Sequence, residues 1–204
     1  MPYLLALFIL LVASTIAEAK QPIHRPAVET PLPLAQTAES NFAQFLQKAQ
    51  QGNVEAQVKI ARMYQQGEGV GQNKAAAFRW WRQAAESGDR GAQTVLADLY
   101  KNGDGVAVDE KEALHWQQKA AMAGVSSAQL ALGEALWAGR VIGQSRPQAF
   151  AWLMLAAGAK QEIIQRMAVE KVRLLLEDPN FKNEDLAMGA QQLAALIHKQ
   201  KTVP

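Results

Sequence analysis

The residues able to do chemistry in this chain are few and scattered. Histidine occurs at His24, His115 and His198, and none has a second histidine at metal-ligand spacing on the same helical face. Cysteine is absent, which removes disulfides, thiolate metal sites and cysteine nucleophiles. The sequence holds no His-Glu-x-x-His, no Ser-x-x-Lys and no phosphate loop ending in lysine. Gly67-Glu-Gly-Val-Gly71 has the composition of a phosphate cradle, but it follows a helical stretch and not a strand. Asn102-Gly-Asp-Gly with Asp109 has the composition of a calcium loop without its alternating ligands or its closing glutamate. These residues therefore predict no catalytic site, no metal and no cofactor: the chain is expected not to be an enzyme.

The same glycines make sense as part of a repeat. Gly52, Gly88 and Gly124 stand 36 residues apart, and between them the sequence returns in one register. Matching positions are Ala56/Ala92/Ala128, Gln57/Gln93/Gln129, Gly67/Gly103/Gly139, Trp80/Trp116/Trp152 and the alanine pairs 84–85, 120–121 and 156–157. A period of this size means stacked supersecondary units, none able to bury its apolar face alone. Repeats are assigned to 52–87, 88–123 and 124–159.

Each unit reads as two helices. The first spans about 53–66, 89–102 and 125–138, with Ala56, Ile60 and Tyr64 on one face, then Ala92, Leu96 and Tyr100, then Ala128, Leu132 and Leu136. The second spans about 73–87, 109–123 and 145–157. Asn73, Asp109 and Ser145 stand where an N-cap belongs, and Pro147 falls in a first turn, where a missing amide costs little. Gly67-x-Gly69-Val70 and Gly103-x-Gly105-Val106 supply the left-handed backbone that ends the first helix. In the third repeat Val141 replaces the second glycine, so that loop, with Ile142, must follow another path. The alanine pairs let helices approach closely and the tryptophans fill the wider gaps. His115 shares the register of Arg79 and Ala151, a solvent-side position.

The Ala-Gln pair, the tyrosine before the loop, Gly-x-Gly-Val, Ala-x-x-Trp and Ala-Ala-x-x-Gly together resemble the Sel-one-like repeat, a branch of the tetratricopeptide-like solenoids. The match is strict over 52–159 and loose over 38–51. The resemblance implies an all-α, right-handed α/α superhelical solenoid of helix-pair repeats with divergent capping helices. It also implies a protein-interaction scaffold, of a kind common among exported bacterial proteins. Some relatives are described as hydrolysing penicillin; without Ser-x-x-Lys that activity is not carried over.

The ends differ from the array. Leu4 to Ile16 is an apolar run, interrupted at Ser14 and Thr15 and followed by Ala17-Glu18-Ala19. It is too short to span a bilayer, where about 20 apolar residues are needed, and reads as a secretory signal cleaved after Ala19. No lysine or arginine precedes it, which departs from the pattern. The expected destination is the periplasm or the medium, with no stable membrane span after cleavage and association with the envelope as a further option. Residues 20–37, with Pro22, Pro26, Pro31 and Pro33, read as an extended tether. Residues 38–51 look like the second half of a repeat, a natural N-terminal cap, with Phe42, Phe45, Leu46 and Ala49 on one face. Residues 160–200 read as a closing helix pair: Ile164, Ala168 and Val172 hold the repeat register, Asp178-Pro179-Asn180 stops the helix, and a last helix sets Leu186, Ala190, Leu193 and Ile197 inward with Gln191, Gln192, His198 and Lys199 outward.

A net charge of +2 is too small to argue for nucleic acid. The expected partner is another protein or peptide on the concave wall lined by the first helices. The positions left free of the core stripe there are Lys59, Arg62, Gln66, Thr94, Asp98, Lys101, Asn102, Glu134 and Trp137. Trp137 shares the register of Gln65 and Lys101, off the core stripe, and exposed tryptophans are enriched at binding hot spots; packing on the helix at 160–177 is its other option. Charge runs from basic in the first repeat to acidic at Asp98 and Glu134, which suits an extended peptide of mixed charge. An alternative occupant is cell-wall glycan or another small ligand in the groove, which would call for several exposed aromatics.

Overall fold

The computed structural model describes residues 34–139 and 145–202. The expected export signal, most of the tether and the third loop at Val141 and Ile142 lie outside the described residues. Among the described residues there are nine helices and no strands: α1 (Leu34–Gln50), α2 (Val54–Gln66), α3 (Lys74–Glu86), α4 (Arg90–Asn102), α5 (Glu110–Met122), α6 (Ser126–Ala138), α7 (Arg146–Ala157), α8 (Glu162–Leu176) and α9 (Asn183–Thr202). The helices α2–α3, α4–α5 and α6–α7 are the three repeats. The first helix starts at Leu34, inside the stretch read as tether.

Local chemistry sets these boundaries. Asn73 Oδ1 accepts from the amide of Ala76, and Asp109 Oδ1 from those of Lys111 and Glu112. Asn53 and Asp89 do the same for the first helices, on Ala56 and Ala92 at 2.8 and 2.6 Å. Each such cap is worth about 1 kcal/mol. Ser145 holds the expected position but its side chain makes no capping bond, and Val125 has no oxygen to offer. The third repeat is thus the poorly capped one. At the other end of the first helices, Gly67, Gly103 and Gly139 adopt left-handed φ of 77°, 74° and 66°. The inter-helix turn then closes identically in all three units: the amides of Asn73, Asp109 and Ser145 donate to the carbonyls of Tyr64, Tyr100 and Leu136.

The second loop glycine has a separate reason. Gly69 and Gly105 are left-handed, and a Cβ on either would run into the backbone of the preceding second helix, at Ala38 and at Lys74 respectively. The Gly-x-Gly pair therefore does two jobs, one turning the chain and one letting a loop lie flat on its neighbour.

Consecutive helices pack on one another from α1 to α8, giving an all-α helical-repeat solenoid. Its core is the repeated set: Ile60, Leu96 and Leu132 are fully buried, as are Ala84, Ala120 and Ala156. Phe42 meets Tyr64 edge-on at 5.3 Å, and Phe78 meets Tyr100 in the same way. The Gln of each Ala-Gln pair is buried too, at 1, 8 and 4% exposure for Gln57, Gln93 and Gln129. Each donates its amide to the end of the preceding helix, at Ala49, Ala85 and Ala121.

Beyond the repeats the packing changes. The helix α8 lies on α7 and α6 with Ala168 buried, as its register predicts, and with Leu175, at the register of the loop glycines, buried as well. The last helix, α9, lies on α7 and reaches α5. It turns Gly189 inward, where a Cβ would strike Phe150 and the Pro147 carbonyl, together with Gln192, Leu193 and Leu196. The expected inward stripe is thus rotated: Leu193 faces in, while Leu186, Ala190 and Ile197 are exposed. Gln192, expected outward, is half-buried. Val169 of α8, at the register of the buried Ala61 and Ala97, is 54% exposed.

Candidate functional site

The nine sequence-derived positions fall into three groups. On α2, Lys59 Nζ lies over the Phe45 ring at 5.5 Å and Arg62 over the Trp81 ring at 5.9 Å. Both cations are exposed yet already held over aromatic faces. Gln66 and Asn102 are exposed at the last turn of their helices, and Thr94 Oγ1 donates back to the Arg90 carbonyl of its own helix. The third group, Asp98, Lys101, Glu134 and Trp137, is brought together around two neighbouring cavities.

The larger cavity, of about 520 Å³, lies where α4, α5 and α6 meet. Its apolar lining is Ala97, Ala113, Leu114, Ala131 and Ala135, and its polar lining is Asp98, Lys101, Glu110, Gln117 and Glu134. The smaller, of about 350 Å³, is lined by Glu134, Trp137, Ala138 and Lys171. Glu134 belongs to both, so the two form one recessed strip from repeat two to α8. Within it Glu134 pairs with Lys171 across α6 and α8 at 3.1 Å. Asp98, Glu110 and Lys101 make no ion pair among the described residues.

Trp137 is half-buried at the end of this strip. Its indole Nε1 donates to Asp178 Oδ2 at 3.4 Å, and Arg146 Nε donates to the same oxygen at 3.3 Å. One carboxylate thus ties the end of α6, the start of α7 and the turn after α8. The Asn180 backbone amide, then Arg146 and Trp137, hold the Asp178 carboxyl below the usual carboxylate range. The tryptophan edge that remains exposed faces the strip as a fixed wall.

Glu110 and Gln117 were not among the sequence-derived positions, because recognition was assigned to first helices alone. Both lie on a second helix. A register comparison finds them: Lys74/Glu110/Arg146 and Trp81/Gln117/Leu153 occupy equivalent places and differ in charge and bulk. A third cavity of about 320 Å³ lies between α7 and α9, lined by Trp152, Gln192, Leu196 and Lys199 among others. His115 is exposed, with its ring edge-on to Trp116 at 5.6 Å. No group of three or more His, Asp or Glu side chains suited to a metal occurs among the described residues.

The strip offers no nucleophile and base in contact. It offers shape, an apolar floor and fixed charges, which is chemistry for recognition. The Sel1 repeat model matches residues 54–89, 91–125 and 126–159. A Sel1 repeat protein from Oxalobacter formigenes is similar in structure, at 34% identity and a TM-score of 0.59, over 64% of this chain and 98% of that one. A protective antigen of uropathogenic Escherichia coli displaying an SLR fold matches at 24% identity and a TM-score of 0.56. It covers 78% of this chain, and the match spans 41% of the antigen's own length. No curated protein sequence matches.

Proposed function

From the premise that the chain belongs to the Sel1 repeat family, we propose that it is an exported, non-enzymatic scaffold holding a partner protein or peptide along the concave face of its solenoid. Sel1 repeat proteins generally act as protein-interaction scaffolds. The observation that carries the reading here is the recessed strip of Asp98, Lys101, Glu134 and Trp137, where two cavities share one side chain. Export rests on the apolar run before Ala17-Glu18-Ala19, and no helix among the described residues is long and apolar enough to cross a membrane.

Site-specific photocrosslinking in cells tests the binding face. A crosslinker at Lys101 is expected to trap a discrete protein that a crosslinker at the solvent-side His115 does not. Identical products from both positions, or none from Lys101, overturn the assignment. Amino-terminal sequencing of the mature protein tests export, with Lys20 expected as the first residue.

A further inference from the structure

We propose that the 520 Å³ cavity between repeats two and three is a pocket for a basic side chain of the partner, an arginine or lysine whose stem lies on the alanine floor and whose head meets the rim carboxylates. This deepens the scaffold reading and rests on it.

The pocket exists because residues at this junction are smaller than their equivalents one repeat earlier. Stepping back 36 residues, Leu114 takes the place of Phe78, Gln117 of Trp81, Ala131 of Val95 and Ala135 of Leu99. At the first junction Trp81 is buried, with its Nε1 donating to Gln65 Oε1 at 3.3 Å. One repeat later, Leu153 stands at the same register and is fully buried. The bulky residue is missing at the middle junction alone, and there the space is open. A volume of about 520 Å³ falls within the range of ligand pockets and leaves room for a long side chain together with its neighbours.

The rim changes sign at the same place. Arg62 and Lys74 at the first junction become Asp98 and Glu110 at the second, and the same registers hold Glu134 and Arg146 in the third repeat. Glu134 is already paired with Lys171, so the pocket offers two unpaired carboxylates, Asp98 and Glu110, against the ammonium of Lys101. Acidic groups over an apolar floor fit the build of arginine or lysine, whose methylene stem covers apolar surface while the head stays with oxygen acceptors. An acidic or wholly apolar occupant would leave Asp98 and Glu110 without a partner in a less hydrated site.

Fluorescence binding to pools of random octapeptides, each with one residue fixed at the centre, tests this on the full chain. Arginine- and lysine-fixed pools are expected to bind roughly tenfold more tightly than glutamate- or leucine-fixed pools, with the preference shrinking as salt rises. Gln117→Trp restores the residue the first repeat already accommodates, and it should abolish the basic preference while thermal unfolding stays cooperative. Asp98→Asn combined with Glu110→Gln, both on exposed positions, should lower the affinity of the basic pools roughly tenfold without filling the pocket. If pools bind, and Trp137→Ala weakens them, but no basic preference appears or Gln117→Trp changes nothing, the pocket is wrong and the scaffold reading stands. If no pool binds any variant, both readings fall.

Discussion

The side-chain amides of Gln129 and Gln200 both donate to the carbonyl of Ala121, at 3.2 and 2.9 Å. The first bond is the third copy of a device that recurs with the repeat. The second comes from the far end of the chain and ties α9 across α7 to α5. Because the acceptor keeps one donor when the other is lost, Gln129→Ala and Gln200→Ala are each expected to cost about 1 kcal/mol. The double variant should lose more than their sum, and a double-mutant cycle in urea measures the excess. Strict additivity would mean that the two amides act independently.

Gly88 and Gly105 are both left-handed, at φ 93° and 76°, yet only Gly105 lies against a neighbouring backbone. Gly88→Ala should therefore show conformational strain alone, about 1–2 kcal/mol. Gly105→Ala adds overpacking on Lys74, about 1–3 kcal/mol more. Denaturant midpoints of the two variants read the difference directly, and equal losses would show that the loop relaxes away from α3.

Much of this was legible because a repeat states its register three times. Asn73, Asp109 and the loop glycines recur at one offset, so helix starts and stops could be placed within a residue or two. The legibility ends with the register. Nothing in Leu186, Ala190, Leu193 and Ile197 tells which neighbour α9 leans on, and a second stripe through Gly189, Leu193 and Leu196 has the same periodicity. The close approach of Gly189 to Phe150 chooses between them, and that contact is tertiary. The candidate site was half legible: Asp98, Lys101, Glu134 and Trp137 stood out as polar or aromatic positions off the core stripe. Glu110 and Gln117 did not, since a cavity is made by what the neighbouring register lacks, and Gln117 signals it only beside Trp81 and Leu153.

The caps give a comparison within one architecture. Asp109 accepts from two amides of α5, while Ser145 at the same register makes no side-chain bond to α7. Asp109→Ala is expected to lower stability by about 1 kcal/mol, and Ser145→Ala by much less than that. Thermal or urea unfolding of the two variants checks it. A loss at Ser145 as large as at Asp109 would mean that its hydroxyl caps the helix in solution.

Asp178 makes the turn after α8 sensitive to acid. Its carboxyl is held below the ordinary value of about 3.9, first by the Asn180 amide and then by Arg146 and Trp137. A depressed folded pKa means that the ionised form is favoured by folding, so the contribution is fully present above about pH 4 and disappears as pH falls through the folded value. Between pH 6 and pH 3, amide protection around Asp178 and Asn180 should fall beyond the change in intrinsic exchange. In Asp178→Asn the protection should already be low at pH 6 and nearly independent of pH. The same variant weakens the bond from the Trp137 indole to the turn after α8. Protection that holds after the carboxyl has been protonated would show that Arg146 and Trp137 keep the turn closed without the charge.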